Sequence, residues 1–335
     1  MHTGKSYRFG EFVFWTRRSI YVLLLVNAIP VLLYQVGGLK WLVVPWGVVL
    51  LLGLTVALLV GLRSLKAYNR MREAEDVWSS IVSGSRAWGL LCRDLVADRD
   101  AVRQLLYRHL AWLTALRYEM RTAKAWEGQD KPHNIEYMRK HGVPERERPL
   151  YAELARYVSG PEAAEIVSAG SRATRVISLQ SQQLSQLREE GRISASQCDA
   201  LRRRLMGFVD RQGASELVKE YAFPRQYAFV NKLFLWILCL LLPLGVIGEV
   251  EAINAAVGNW IQDYVIWAGV PLGVLVSWMY ASLNQVIEST ENPFEGGAND
   301  VPISRICDRI EVELRETLGE TAIPELPGRA GNIAV

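Results

Sequence analysis

The stretch "WLVVPWGVVLLLGLTVALLVGLRSLKAY", Trp41 to Tyr68, changes character at one point. No side chain is charged from Trp41 to Leu62, and from Arg63 onward Lys, Arg, Glu and Ala are frequent. An uncharged run of this length can cross a hydrocarbon core of about 30 Å as an α-helix. Since Gly and Pro are scarce beyond Arg63, the sequence predicts a membrane helix that continues directly into an aqueous helical segment.

Three other runs lack charge, and together with Trp41–Leu62 they predict four membrane spans. They are Ile20–Val36, Leu233–Gly248 and Tyr264–Leu283. The shortest, Leu233–Gly248, also has the length of a buried core helix, which leaves that alternative open. The overall composition, half hydrophobic with a net charge of +3, does not separate a soluble enzyme from a membrane protein, but the distribution of charge does.

Basic residues predict the orientation of the spans, because short loops rich in Lys and Arg stay on the cytoplasmic side. Such residues flank the spans at both ends of the chain and after the second span, whereas the charges between the third and fourth runs are all acidic. We therefore expect a multi-pass protein of the inner (plasma) membrane with both termini cytoplasmic. The predicted segments are a cytoplasmic N-terminal segment (1–19), membrane helices 1 and 2 (20–62), a cytoplasmic helical domain (63–232), membrane helices 3 and 4 (233–283) and a cytoplasmic C-terminal segment (284–335).

The cytoplasmic part predicts helices throughout, so the expected fold class is all-α. Apolar residues recur there at spacings of three and four, and no stretch alternates as a strand would. One helix is expected from Pro161 to Glu190, and the next from "SASQ" (194–197) to about Gly213. Four Cys residues are expected to be free and buried, because the cytoplasm disfavours disulfides. They are Cys92, Cys198, Cys239 and Cys307.

Two rows of residues spaced by four mark the second span. One is Gly53, Ala57 and Gly61, and the other is Gly47, Leu51 and Thr55. The row of small residues is typical of close helix packing. At about 100° per residue the other row lies on the opposite face. Taken alone, that second row fits a lipid-facing or core position better than a pore lining. Each span is also expected to hold a Pro inside its helix: Pro30, Pro45, Pro243 and Pro271.

The sequence contains no catalytic constellation. Phosphate-binding, zinc-protease, Cys-pair and nucleophile-elbow motifs are all absent, so we expect neither an enzyme nor a bound cofactor or metal. The spans also lack ionisable side chains, which argues against a proton-coupled carrier. The excess of Lys and Arg over Asp and Glu between Arg63 and Lys232 is too modest to predict a nucleic-acid partner.

Three stretches together resemble the bestrophin family, in particular its bacterial members. "GLRSLKAYNRMREAEDVWSSIVSGSR" (61–86), "YAFPRQYAF" (221–229) and "ENPFEGGANDVPISRICDRIEVELRETLGE" (291–320) are similar to family segments in the same order. The paired Trp of the bacterial motif is replaced by Met71 and Arg72. The positions that carry the resemblance are Arg63, Tyr68, Pro224, Asn292, Pro293, Phe294 and Asp300.

The resemblance implies a homopentameric ion channel in a lipid membrane, with monovalent ions passing through a central pore. Counting back from Arg63 places the narrow neck of the pore at Gly47, Leu51 and Thr55, with Leu58 expected off that face. A weaker correspondence places a cytoplasmic aperture at Ser196 or Gln197. The sign of the ion stays open, and a membrane scaffold or signalling subunit without ion flux is the alternative function.

The same resemblance predicts how calcium should act. Eukaryotic bestrophins carry a run of acids after the matching "NPF" that helps to form a calcium clasp, and here "EGGAND" stands in that place. Asp300 is the clearest remaining oxygen ligand of that run. We therefore expect no high-affinity calcium gating, and we expect the loop to join the fourth span to a tail helix, Pro302 to Gly319.

Overall fold

The computed structural model describes residues 8–221, 223–257 and 262–324. Within these ranges the chain folds into α-helices and loops without strands, as the all-α prediction requires. The helices are α1 (Phe9–Gln35), α2 (Trp46–Leu95), α3 (Arg99–Arg121), α4 (Pro132–His141), α5 (Pro144–Glu147), α6 (Leu150–Leu154), α7 (Gly160–Ser168), α8 (Arg172–Glu189), α9 (Ala195–Glu220), α10 (Arg225–Val257), α11 (Gln262–Thr290) and α12 (Ile303–Thr317).

Four of these helices are long and apolar enough to cross a membrane: α1, α2, α10 and α11. This confirms the count of four spans. The run Leu233–Gly248 belongs to α10, a helix of 33 residues, and is therefore part of a much longer apolar helix than a short core segment would be. The predicted continuity at Arg63 is also confirmed, because α2 extends over 50 residues without a break.

Several predicted boundaries were wrong. Pro45 precedes α2 and does not lie inside it, whereas the other three Pro residues of the spans are within helices. The helix expected to run from Pro161 to Glu190 is two helices, because the Glu119 carboxylate accepts the backbone N–H groups of Arg172 (2.8 Å) and Ala173 (3.3 Å) and so starts α8. The following helix, α9, ends at Glu220, seven residues beyond Gly213.

The described residues form two compact units that share α2. One unit, here called the apolar unit, contains residues 8–68 and 223–291, and the other, the polar unit, contains residues 69–221 and 292–324. The core of the polar unit is built on Trp78, Trp88 and Trp112, each fully buried. The four Cys side chains are free and buried, which confirms the prediction made for them.

In the apolar unit, α2 buries one face against α10 and α11. Val49, Val56 and Val60 are each at most 3% exposed and belong to a single apolar cluster with side chains of α10. Gly245 of α10 allows a close approach, since a Cβ atom there would lie 2.7 Å from a methyl group of Val49. The rotation of α2 about its axis is therefore set by the packing within this unit.

Helices α1 and α11 meet at a second close approach. The Asn27 side chain is completely buried and donates from Nδ2 to the carbonyl of Leu23 at 2.8 Å. Its Oδ1 faces Gly273 so closely that a Cβ atom on Gly273 would lie 2.2 Å away. Only Gly fits at position 273 while Asn27 holds this rotamer.

We expect Gly273→Ala to lower the stability of the folded protein by about 1–3 kcal/mol, because the added methyl group must displace Asn27. Thermal unfolding of the purified protein in detergent measures the effect. In an Asn27→Ala background the same substitution should cost much less, since the space it needs is then vacant. If Gly273→Ala lowers the stability equally in the two backgrounds, the contact with Asn27 is not the reason that position 273 requires Gly.

Candidate functional site: the open face of α2 and the loop after α11

The predicted neck residues lie on the face of α2 that its neighbours within the apolar unit leave open. Gly47, Leu51 and Thr55 are all exposed in the chain, and Leu51 is 68% exposed. Successive residues of an α-helix are about 100° apart, so this row lies roughly opposite the buried Val56. Gly47 is in the first turn of α2, next to Pro45, whose carbonyl accepts a hydrogen bond from the Val48 N–H at 3.0 Å.

The hydroxyl of Thr55 already donates a hydrogen bond within its own helix. It donates to the carbonyl of Leu51 at 2.9 Å, a common arrangement for Thr in apolar helices. The side chain therefore presents oxygen lone pairs and a methyl group to its surroundings, and no free O–H donor. A row of Gly, Leu and Thr in this state is uncharged and weakly polar.

The prediction that Leu58 lies off the face of Leu51 is wrong. The two positions are one heptad apart on a continuous helix, which separates them by only about 20° around the axis. Leu58 is 64% exposed, close to the value for Leu51. The open face thus continues along α2 past Thr55, and a valid comparison for Leu51 must come from another side of the helix, such as Leu50, which is 50% exposed.

Within the described residues, the row of small residues contacts another helix at Gly53. Gly53 is half-buried, and its carbonyl accepts a hydrogen bond from the Tyr280 hydroxyl at 3.2 Å. Ala57 and Gly61 are exposed, and a Cβ atom on Gly61 would meet nothing within 4 Å. Close packing at those two positions therefore stays a prediction about a neighbour outside the chain.

Arg63 forms the centre of a buried polar cluster. Its guanidinium donates to the Glu291 carboxylate at 2.7 Å and to the Asn284 amide oxygen at 2.9 Å, and Asn231 donates to that same oxygen at 3.1 Å. Arg63 is 7% exposed, and its guanidinium lies 5.7 Å from the ring centroid of Phe223. These contacts tie α2 to α10 and α11 within the apolar unit.

Two other motif residues are placed differently from Arg63. Tyr68 is half exposed near the middle of α2. Pro224 is exposed directly before α10, where its carbonyl accepts the Tyr227 N–H at 3.1 Å. Tyr68 thus occupies a solvent-facing position of a helix, and Pro224 lies at the start of one. In the described part of the chain, neither residue is linked to the Arg63 cluster by a hydrogen bond or an ion pair.

The loop "ENPFEGGANDVPI" is closed by a backbone hydrogen bond and an aromatic anchor. The Val301 N–H donates to the Pro293 carbonyl at 3.1 Å, and Phe294, 1% exposed, lies 6.3 Å from the Trp78 ring. Gly296 has φ of +94° and stands where a Cβ atom would lie 2.9 Å from Val143, so Gly is required there. The loop leads into α12, which confirms a tail helix within two residues of its predicted bounds.

The acids of this loop are satisfied by the protein itself. Asp300 accepts from the Gly296 N–H and from Arg121 at 3.3 Å. Glu295, 5% exposed, accepts from the Gly128 N–H at 2.8 Å and from the Asn292 amide at 2.6 Å. Among the residues that the structure describes, no three or more His, Cys, Asp or Glu side chains come together as a metal site.

Burial gives these acids unusual protonation behaviour. It raises the pKa of Glu295 to about 7, with repulsion from Asp300 adding to the effect. Burial also raises the pKa of Asp300, against the attraction of Arg121. Nearby, Lys219 pairs with Glu127, and burial lowers the pKa of that lysine. Sequence reasoning singles out Asp300 and misses Glu295, because the burial of a Glu cannot be read from its neighbours in the chain.

The aperture candidates lie in the first turn of α9. Ser194 caps this helix, accepting the Gln197 N–H at 3.3 Å, and its own N–H donates to the Gln197 side-chain oxygen at 2.7 Å. The oxygen of Gln197 is thus occupied, whereas its amide N–H groups have no partner in the described ranges. Ser196 is exposed. The first turn carries no acid, so the partial positive charge of the helix start is uncompensated by its own residues.

Four long apolar helices, an uncharged open face on one of them and a separate helical polar unit define an all-α, multi-span membrane protein. The chain belongs to the family of bacterial and fungal bestrophins, whose family model matches residues 16–316. The predicted family resemblance is therefore confirmed over most of the chain.

Individual relatives are distant in sequence. The Escherichia coli K12 protein YneE, known as a voltage-dependent anion channel-forming protein, is 22% identical over 87% of this chain and 83% of its own length. A protein of Mesorhizobium japonicum with the same descriptive name is 22% identical over 85% and 78%. A solved bestrophin homologue from Klebsiella pneumoniae superposes with a TM-score of 0.74 at 21% identity, covering 92% of this chain and 98% of that one, which shows a shared fold.

We expect the charge state of Glu295 to make stability depend on pH near neutrality. Its folded pKa, about 7, exceeds the ordinary 4.5, so its contribution is fully present below about pH 4.5 and is lost as the pH rises through 7. At roughly 1.4 kcal/mol per pKa unit, the loss approaches an upper bound of about 3.5 kcal/mol. Glu295→Gln keeps the acceptor oxygen and should unfold at a higher temperature than the wild type at pH 8, with little difference at pH 5.

Glu316→Gln is the matched control, because Glu316 is exposed. That variant should follow the wild type at both pH values. A Glu295→Gln protein whose advantage over the wild type is the same at pH 5 and pH 8 would show that Glu295 does not titrate in this range.

Calcium should not bind this loop with micromolar affinity. One carboxylate oxygen of Asp300 and one of Glu295 already accept hydrogen bonds from Arg121, Asn292 and backbone N–H groups, whereas Ca²⁺ takes six to eight oxygen ligands. Isothermal titration of the detergent-solubilised protein with CaCl₂ tests this. Saturable micromolar heat that disappears in Asp300→Asn would overturn the expectation.

Proposed function

We propose that this chain forms a homopentameric ion channel of the inner membrane, with Gly47, Leu51 and Thr55 lining the neck of a central pore and with a preference for small monovalent anions. Five copies of α2 would place their open faces around the axis. The membrane lipid would cover outward-facing apolar side chains of the other spans, such as Leu25 of α1 and Leu272 of α11, which are both exposed in the chain. Both termini and residues 63–232 would be cytoplasmic.

The observation that carries this proposal is the open face of α2. A helix in the middle of a chain of four apolar helices normally hides its large apolar residues in protein or lipid. Here Gly47 and Thr55 introduce a small and a weakly polar position into an open face that otherwise carries exposed Leu side chains, such as Leu51 and Leu58. A narrow, uncharged ring of Leu51 flanked by smaller and more polar rings would form a constriction that water can fill.

The proposed anion preference is supported by the relatives and by the placement of charge. Two curated relatives carry names that describe anion channel formation. The neck row is uncharged, so attraction must arise elsewhere along the pore. Residues 63–232 carry more Lys and Arg than Asp and Glu. In addition, Gln197 offers amide N–H donors beside the acid-free start of α9, a combination that favours an anion over a cation.

We expect Leu51→Ala to raise single-channel conductance by roughly twofold or more, because widening an apolar ring lowers its dewetting barrier steeply. Planar bilayer recording of the purified protein measures this. Leu50→Ala is the matched control: it removes the same atoms from the adjacent residue, about 100° around α2, and should leave conductance nearly unchanged.

Reversal potentials in asymmetric NaCl and sodium gluconate then give the sign of the permeant ion. A shift toward the chloride equilibrium potential supports anion selectivity, and a shift toward that of sodium contradicts it. Conductance that is absent under all conditions from a correctly assembled pentamer would favour a membrane scaffold or signalling subunit. Equal effects of the two Leu substitutions would contradict the assignment of the neck.

A further inference from the structure

A cavity of about 350 Å³ lies inside the polar unit, between α3, α6 and α12. Its volume is near the lower end of cavities that hold small molecules, about 300–1,000 Å³. Leu110 and Leu113 of α3 and Val312 of α12 supply an apolar wall. All of the lining residues belong to this one unit, and none belongs to the open face of α2 or to the candidate aperture.

The charged side chains of the wall balance one another. Three are Arg and three are acids, so the wall has no formal net charge: Arg117, Arg148, Arg156, Glu153, Asp308 and Glu311. A wall with this balance disfavours a ligand that carries a net charge of either sign. It suits a neutral molecule, or one with a positive and a negative group.

Two of the acids already accept hydrogen bonds from the protein. Glu153 accepts from Arg156 at 2.9 Å and from Arg148 at 3.4 Å. Glu311 accepts from the Tyr157 hydroxyl at 2.6 Å and lies 2.8 Å from Arg315. Both carboxylates are therefore already compensated by Arg or Tyr donors of the protein.

Asp308 differs from both. Its closest cationic atom is Nη1 of Arg117 at 3.8 Å, too long for a hydrogen bond, and within the described residues it accepts no hydrogen bond. Its side chain is 34% exposed at the cavity. Burial nevertheless raises the pKa of Asp308, as expected for a carboxylate that its surroundings compensate only in part. The wall therefore contains one acid with free acceptor oxygens.

Two of the Arg side chains, Arg117 and Arg148, have N–H groups that form no hydrogen bond within the described residues. Arg117 is 7% exposed, and although its Nε lies 3.1 Å from Glu145 it makes no aligned hydrogen bond among the described residues. Among the residues that the structure describes, the Arg148 side chain donates one long hydrogen bond, to Glu153 at 3.4 Å. A guanidinium has several N–H donors arranged to match a carboxylate. The cavity thus offers unused cationic donors near one unused anionic acceptor.

We propose that this cavity binds a small zwitterion of the amino-acid class, with its ammonium group at Asp308, its carboxylate at Arg117 and Arg148, and a short apolar side chain against Leu110, Leu113 and Val312. Such a ligand leaves the wall neutral. Its carboxylate accepts hydrogen bonds from the unused Arg donors, and its ammonium group donates to the unused oxygens of Asp308. Since the wall comes from α3, α6 and α12, the ligand would hold the tail helix against the rest of the polar unit. This site is separate from the proposed pore.

Isothermal titration of the full-length protein in detergent tests the proposal with four probes: L-leucine, L-alanine, N-acetyl-L-leucine, which lacks the ammonium, and L-leucinamide, which lacks the carboxylate. We expect saturable binding of leucine or alanine. N-acetyl-leucine and leucinamide should bind at least about tenfold more weakly than leucine, because each loses a hydrogen bond to a charged group.

Variants identify the site. Asp308→Asn should weaken leucine binding at least about tenfold, and Arg148→Gln should do the same. Arg103→Gln is the control, because Arg103 is similarly exposed and, among the described residues, forms an ion pair at 3.5 Å with Glu320, which does not line the cavity. Its affinity for leucine should be unchanged, and circular dichroism should show the same helical content in all variants.

Several results would overturn the proposal. One is the absence of saturable heat with both leucine and alanine at millimolar concentration from protein of native helicity. Binding of N-acetyl-leucine or leucinamide as tight as that of leucine would show that no zwitterion is recognised. Leucine binding that survives both Asp308→Asn and Arg148→Gln would place the ligand elsewhere. None of these outcomes depends on ion conduction, so the proposed channel function is tested separately.

Discussion

The ion pair between Arg63 and Glu291 is the constraint on which the candidate site depends. It is buried, Arg63 also donates to the Asn284 amide oxygen, and Asn231 donates to that same oxygen. Removing one partner of such a pair leaves an uncompensated buried charge, at a typical cost of about 3–5 kcal/mol. Because Arg63 is on the same side of α2 as Val56 and Val60, fixing it fixes the rotation of the helix. The opposite side, with Leu51, is consequently left open.

Much of this fold follows from local patterns in the sequence. Charge-free runs predict the spans, and the helical period alone places Gly53 and Leu51 on different faces of α2. The wrong boundary between α7 and α8 arises where a residue distant in the sequence helps to determine where a helix begins. Glu119, on a different helix, accepts two backbone N–H groups at the start of α8, at a break that also contains Gly170 and Ser171. The wrong prediction that Leu58 lies off the face of Leu51 has a different origin, since the spacing of seven residues between them is visible in the sequence itself.

The loop after α11 shows what a motif can and cannot convey. Phe294 and Gly296 have evident structural roles, as an aromatic anchor and as a turn that requires positive φ. The number of acids in the loop, however, says little about its charge, because burial raises the pKa of Glu295 and Arg121 of α3 pairs with Asp300. The expectation that this loop does not bind calcium therefore rests on the contacts of its remaining acids and not only on their number. The remaining charges of the loop are balanced within the polar unit.

The polar side chains of the two proposed constrictions have opposite characters. Thr55 donates its hydroxyl proton to the Leu51 carbonyl and so presents acceptor oxygen, whereas Gln197 uses its oxygen to accept from the Ser194 N–H and so leaves amide donors. Neither group is charged, so neither can hold an ion strongly, and weak binding is compatible with rapid passage. If both rings face one pore, the neck would set its width and wetting, and any preference for anions would arise at the start of α9, where donors and the helix dipole act together.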